Sequence, residues 1–574
     1  MEKSILLSLL LLSFTLCEDE TSYIVFMNDV IKVPHEGGAT ISGTTVVIEK
    51  PGIYLAQGKS EEGNIVIKSS SVSLYLQNLE LTSKTNAPII VTSGLDNVKI
   101  VTLQKSTIND LEDYLTTTGE CAAIKIKKKS TVYFENRDTL TLNGVCKNII
   151  KGGIQTSLIF KKSDGEYIIN ANKTGISSDG SLEFNGGVFT IVSDYGDGIK
   201  SEPGKTDTDS LGKILINDGS FNIQSFNDAI IAKNNITIVK GVFDIKTENG
   251  YDSTTYDENE SSKGFKVTNN ETGCGITVYS GEFTLNTVDD AFHSKGDIKI
   301  LSGKYTIYSK DDGISAKHNL ILGKRDAPNE ELELLILNSY EALEGMTVTI
   351  NSGKIVVTAT DDGINASGEH VERGHRPDWN RTNRTRRNRS KDDPFRPGPH
   401  GPSGNRSHRM RGNASFYISI YDGEIYVYCD GDGIDSNGNV FIHGGNINVF
   451  SQGNRDNEPI DHDGNFTLFN GDVLGVGSRG MEYIHAGIKK GNQMYAYYTG
   501  AITKDKLLVI RNENNEVIKE GVITKDINYI FYSSPKLNEK YTFHVFEQDN
   551  GAETKLETVF NTPENGEDDE DTNH

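Results

Sequence analysis

Short runs of alternating apolar and polar residues recur along nearly the whole chain. The stretch "IKILSGKYTIYSKDDGISAK" (298–317) shows the unit: an alternating run, a Ser-Gly turn, a second alternating run, then an acidic turn. Period-two alternation over four to six residues, rich in Ile, Val, Thr, Tyr and Phe and closed by glycine-bearing turns, predicts half-buried β-strands. "LEFNGGVFTIVSDYGDGIKS", "ILINDGSFNIQSFNDAIIAK", "ITVYSGEFTLNTVDDAFHSK" and "VTINSGKIVVTATDDGINAS" repeat the unit, and no long stretch has helical periodicity. The predicted fold class is all-β.

The acidic turns set the period. Asp290 to Asp312 is 22 residues, Asp312 to Glu341 is 29, and Glu341 to Asp362 is 21. That is too short for a propeller blade or a sandwich, and it matches one rung of a parallel β-helix, a solenoid in which each rung stacks on the last. Leucine-rich repeats have a similar period, but their L-x-x-L-x-L signature is missing. Ile298, Ile300, Tyr305, Ile307 and Ile314 are the expected inward residues. Gly281, Gly303 and Gly353 are expected at corners that need positive φ.

The pattern is interrupted at 248–273, a polar stretch, and at 368–415, rich in Arg, Asn, Pro and Gly and expected to be disordered. Strand signals resume after each, so both read as insertions in a solenoid spanning 18–475. Residues 476–560 read as a small terminal β-unit capping it, and 561–574 as an acidic disordered tail. Residues 1–17 combine a lysine with an apolar run before an abrupt acidic start, the signature of a secretory signal peptide. A bacterial lipobox fits poorly with Leu16 before Cys17. No later run is long enough to span a membrane, so the chain is expected to be secreted and soluble. Eleven Asn-x-Ser/Thr sequons, among them Asn172, Asn235, Asn270 and Asn465, are glycan acceptors in a eukaryotic secretory pathway. Of the cysteines beyond Cys17, Cys121 and Cys146 lie 25 residues apart, and a secreted context permits a disulfide. Cys274 and Cys429 complete the set, without zinc-like spacing.

The net charge of −23 excludes a nucleic-acid partner, which needs a basic footprint. The acidic turns raise a question of their own. Asp-Gly is ordinary turn chemistry, yet carboxylates stacked about 4.8 Å apart repel by about 0.9 kcal/mol even in water. Two forms of neutralisation are open. Lysines recur at one offset from the acids: Lys233 after Asp228, Lys295 after Asp290, and Lys317 after Asp312. Calcium, which takes six to eight oxygens, is the other. It would also let an acidic protein grip an acidic polymer. Only one tryptophan, Trp379, is present, so no row of indoles for crystalline neutral polysaccharides is visible.

Several segments resemble the secreted polygalacturonate-binding β-helix proteins of cellulolytic clostridia. They are "GGATISGTTVVIEKPGIYLAQGKSEEGNIVI" (37–67), "NAPIIV" (86–91), "SSKGFK" (261–266), "DDAFHSKGDIKILSGKYTIYSKDDGISA", "SYEALEGMTVTINSGKIVVTATDDGINA", "DGDGIDSNGNVFIHGGNINVF" and "SSPKLNEKYTFHV". The resemblance spans roughly 35–550. It implies a right-handed parallel β-helix related in fold to calcium-dependent pectate lyases, with bound calcium and a pectic polyuronate held without cleavage. Its metal role maps onto Asp289, Asp290, Asp311, Asp312, Asp361, Asp362, Asp430 and Asp432, with Glu341 and Glu344 in the "YEALEG" copy.

The expected function is therefore calcium-dependent binding of acidic polysaccharide, with Lys233, Lys295 and Lys317 as glycan contacts and no catalytic residues. A calcium-dependent lyase is the first alternative, with one of these lysines as base. A structural or adhesive matrix protein is the second. His293 and His318 lie near acidic turns and read as ordinary turn or surface residues.

Overall fold

The computed structural model describes residues 21–561, apart from short internal segments of which the longest are 112–120 and 368–414. The expected signal peptide, nearly all of the basic insertion and the acidic tail lie outside the described residues. Those described form β-strands and turns with no helix, so none is long and apolar enough to cross a membrane. One long, mostly parallel sheet takes in 48 strands, and a second sheet has four.

Through most of the chain each strand pairs in parallel with the third strand before it and the third after it. Gly275–Val278 lies between Asn235–Ile238 and Asp297–Ile300. Glu282–Thr287 lies between Val242–Thr247 and Gly303–Ser309. The short strand Phe292–Ser294 lies between Phe265–Val267 and Ile314–Leu322. Three ladders thus run along the chain, and the acidic turn joins the second to the third. Phe265–Val267 falls inside the segment read from sequence as an insertion. The apolar pair at Phe265 and Val267 gives it one more strand of the third ladder, despite its polar surroundings.

Alternation puts one side of every strand into a continuous core. Ile298, Ile300, Tyr305, Ile307 and Ile314 are all buried, as their spacing predicts. Aromatics repeat at one register and stack: Phe221 on Phe243 at 5.1 Å, Phe243 on Phe283 at 4.7 Å, and Phe283 on Tyr305 at 4.5 Å. These separations match the spacing of neighbouring strands, so each ring lies flat on the next. At the turn between first and second ladders, Gly303 has φ 113° and Gly281 φ 147°. A Cβ at Gly303 would stand 2.5 Å from the Gly281 carbonyl, so glycine answers both to backbone hand and to close approach.

Cys121 and Cys146 are bridged, with Cα atoms 5.9 Å apart. At the far end the parallel order stops. Asp472–Gly477 pairs antiparallel with Ile527–Ser533, and Lys506–Arg511 sits between Val517–Ile523 and Thr542–Glu547. These strands bury their own apolar cluster, Leu508, Ile510, Phe543 and Val545, against Phe450, Leu474 and Val476 of the last repeats.

Candidate functional site

The small residue and the apolar residue of each acidic turn open a strand of the third ladder. Ile199, Ile230, Phe265, Phe292, Ile314, Leu343, Ile364, Ile434 and Ile460 are successive Cα partners. Two residues earlier this register places Asp197, Asp228, Lys263, Asp290, Asp312, Glu341, Asp362, Asp432 and Glu458 in one column. Most are acids, and one is a lysine.

The carboxylates first serve the stack itself. Asp228 Oδ1 accepts the Lys263 N–H at 2.9 Å, Asp290 Oδ1 accepts the Asp312 N–H at 3.1 Å, and Asp312 Oδ1 accepts the Glu341 N–H at 3.2 Å. Asp362 Oδ1 accepts the Asp432 N–H at 2.8 Å, and Asp432 in turn accepts from Glu458. These five acids thus each clamp one repeat to the next. The glycine between acid and isoleucine lies at a bend in the chain, but not in the left-handed backbone that would itself demand glycine. Gly313, Gly363 and Gly433 are not among the positive-φ residues. Their need is room: a Cβ on Gly363 would collide with Val427 and with the Gly433 carbonyl.

Lysines neutralise the first half of the column. Lys200 reaches Asp197 at 3.0 Å and Glu202 at 2.9 Å, and Lys266 reaches Asp228 at 3.2 Å. Lys263 lies between Asp289 at 2.5 Å and Asp290 at 2.8 Å, and the His293 Nδ1 is 2.6 Å from Asp290. Burial disfavours the Lys263 charge, but Asp290 and Asp289 outweigh it and hold the ammonium well above its ordinary range. Burial likewise opposes the Asp290 charge, and Lys263 and His293 outweigh it, keeping the carboxyl ionised far below the usual range. Burial and then Lys263 push the His293 imidazole toward its neutral form. Asp289, Asp290 and Asp311 have oxygens mutually within 4.8 Å, the one such trio of possible ligands among the described residues.

Beyond Asp290 the balance changes. Asp311, exposed at its edge, is pushed up to about 7 by the surrounding protein and by Asp290 and Asp289. Burial, Asp290 and Asp311 push Asp312 well above its ordinary value. Lys317 reaches Glu344 at 3.2 Å, and Ser315 donates to the same carboxylate. Glu341 is pushed up to about 8 by burial and then by Glu344, against an Asn365 hydrogen bond. Asp432 goes up to about 7, by burial against the Glu458 N–H and with Asp362 and Asp461 adding to the rise. Asp435 goes up to about 9, by burial and then by Asp362, Asp432, Asp461 and Glu341.

Parts of the chain are similar to known proteins. Residues 42–313 match the family of carbohydrate-binding domain-containing proteins. A carbohydrate-binding domain-containing protein of Acetivibrio thermocellus is 27% identical over 179 residues, which is 30% of this chain and 54% of that protein. The chain spans about half the length of that curated relative. A solved structure of a polysaccharide lyase-like protein from C. thermocellum, a gadolinium derivative, aligns over 46% of this chain and 96% of its own, at 23% identity and a TM-score of 0.35.

The residues expected from sequence divide into groups. Asp289 and Asp290 are buried beneath Lys263, and Asp311 stands beside them at the surface. Asp312, Glu341, Glu344, Asp361 and Asp362 follow on successive repeats. Asp432 continues that line, whereas Asp430 is exposed and bonded to Lys525 from the terminal unit. Lys317 is held by Glu344, Lys233 is half-buried and Lys295 exposed. Sequence reasoning passed over Lys263, Asn365, Asp435 and Asp461. "SSKGF" carries the same small-apolar pair as "DDGI", with lysine in the acidic place, so an alignment keyed on acidity skips it. His293, read as a bland turn residue, touches Asp290.

Proposed function

We propose that this chain is a secreted, calcium-dependent carbohydrate-binding protein, a right-handed parallel β-helix that holds an acidic polysaccharide such as polygalacturonate without cleaving it. The observation that carries the reading is the column of carboxylates along one edge of a chain whose first half matches a carbohydrate-binding family. Hard oxygens from Asp and Glu suit calcium. The ion would sit where the column is least neutralised, among Asp312, Glu341, Asp362 and Asp432, not on the pair already bonded by Lys263. When bound it supplies positive charge that a uronate carboxylate can share. Lys233 and Lys295 lie along the same face and would contact the glycan's other acid groups.

One observation favours the lyase alternative. A neutral His293 oriented by Asp290 is the arrangement of a general base. Lys263 and Lys317 are held protonated by their carboxylates and do not suit that role. Incubation with de-esterified polygalacturonate in calcium, followed by ultraviolet absorbance for unsaturated products, separates the two. The binding reading predicts retention without absorbance growth. Product that disappears in His293→Ala would make the protein a lyase.

A further inference from the structure

We propose that the turns joining the first ladder to the second, next to the terminal unit, form a further binding cleft that takes an uncharged hexose without calcium. The acidic turns join the second ladder to the third, so this is a different edge of the molecule. It also lies beyond the stretch matched by the carbohydrate-binding family. The proposal does not depend on the calcium reading.

Glu424, Asn446 and Asp472 are successive Cα partners that open strands of the second ladder. Three residues before each stand Tyr421, His443 and Phe469. Their rings stack on the outside of the molecule, Tyr421 on His443 at 4.3 Å and His443 on Phe469 at 4.7 Å. The Arg325 guanidinium lies 4.0 Å from the Tyr421 ring centre and closes that end of the stack. At the other end Phe469 is 51% exposed, and with His443 on one face it is the other face and the edge that meet water. Exposing an apolar ring is unfavourable, and the fold does not ask for one there: the equivalent positions of the two preceding repeats are Gly323 and Asn351. The row was not legible in the sequence, because its rings lie 22 and 26 residues apart and differ in kind.

Beside the stack is a cleft of about 510 Å³, the size of a small-ligand site. Asp422, Glu424, Asn446, Asn470 and Asp472 line it, and Pro535 of the terminal unit adds a wall. Gly444 stands between Asp422 and Asn470 in one row, so the floor there carries no side chain. Asp472 is fixed from the terminal unit by the Lys519 ammonium and by the Tyr532 hydroxyl at 2.9 Å. Lys519 also donates to Asn446 Oδ1 at 2.6 Å, and the Asn446 NH₂ has no acceptor among the described residues. The Asn470 side chain makes no hydrogen bond among them either. Carboxylates accept hydroxyl protons in charge-assisted bonds, and amides both donate and accept. No lysine or arginine lines the cleft, and Lys519 is held by Asp472. A uronate would therefore face three carboxylates with one cation among them, and its methyl ester has no hydroxyl at the sixth carbon to donate. An uncharged hexose suits both features: its C–H face packs on the exposed ring, and its hydroxyls reach the acids and amides.

The test titrates the full chain by calorimetry in excess chelator with tetrasaccharides of galactan, glucan and mannan, and with tetragalacturonate and its methyl ester. At least one neutral fragment is expected to bind, and neither galacturonate probe. Phe469→Ala and Asn470→Ala are each expected to weaken that binding roughly fivefold, while Phe469→Tyr keeps it. Asn470→Ala removes an exposed amide that holds nothing, so its melting temperature is expected to stay at the wild-type value and its loss of binding is not a loss of fold. Failure of all three neutral fragments, binding that needs calcium, or wild-type affinity in either alanine variant would overturn the proposal. So would a galacturonate probe that binds in chelator and is lost in Phe469→Ala. Retention on polygalacturonate in calcium keeps this site apart from the functional reading, and Phe469→Ala is expected to leave it unchanged. A wild-type protein that binds a neutral fragment yet is not retained there upholds the cleft and overturns the calcium reading.

Discussion

Lys263 carries an ammonium group where the neighbouring repeats carry carboxylates, and it bonds Asp289 and Asp290 at once. Removing one partner of a buried ionic set leaves uncompensated charge, a loss of about 3 kcal/mol or more. Lys263→Met is therefore expected to lower the denaturation midpoint in chelator, and calcium to restore part of it by replacing the lost cation. An unchanged midpoint in chelator would show that the set contributes nothing. The acids further along act in the opposite direction. Glu341 and Asp435 titrate near 8 and 9 when folded, against about 4 in an unfolded chain. Between those values the folded state holds protons that the unfolded state has released, so stability falls as pH rises from about 4 to 9. Asp290, held low, contributes stability above its unfolded value and loses it on further acidification. Melting in chelator is expected to be highest near pH 5 and to decline toward pH 9, with calcium removing most of the decline. A melting temperature that climbs from pH 5 to 9 in chelator would contradict these assignments. The acids were legible in the sequence because Asp-Asp-Gly-Ile recurs. The lysine was not, because a cation at an acid position breaks the chemical pattern while keeping the geometric one.

At the scale of the strand, alternation specified nearly everything about the core. Tyr305 and Ile307 point inward because they stand two apart on a strand that parallel neighbours cover on both edges. What alternation could not supply was the reason for the glycine of each acidic turn. The chain does bend there, but without positive φ, and the need for glycine is steric, visible only once the next repeat is in place. Gly363→Val is expected to destabilise by about 1–3 kcal/mol through overpacking against Val427 and the Gly433 carbonyl. The same position is alanine in other repeats, at Ala229, Ala291 and Ala342, so Gly363→Ala is expected to cost less. Thermal melts of the two variants check the order, and equal melting of Gly363→Val and wild type would contradict it. Asp435 and Asp461 escaped notice for a related reason. They sit three residues after the acid of the turn, on the outer side of a strand only three residues long, and a single acid there looks like any solvated position.

Over the whole molecule the net charge of −23 is unevenly answered. Lysines meet the acid column at Asp197, Asp228 and Asp290, while Glu341, Asp432 and Asp435 face further acids. The terminal unit takes up two more carboxylates through Lys525 on Asp430 and Lys519 on Asp472. Under the proposed function, an acidic glycan approaching this edge would meet repulsion unless a cation lay between, so binding is expected to depend on calcium and on free uronate carboxylates together. The most direct measurement is retention of the protein on immobilised polygalacturonate across a calcium titration, with fully methyl-esterified pectin and excess chelator as the two controls. The account predicts retention that rises with calcium on the free acid and is missing on the ester and in chelator. Equal retention on the ester, or retention that survives the chelator, would contradict it.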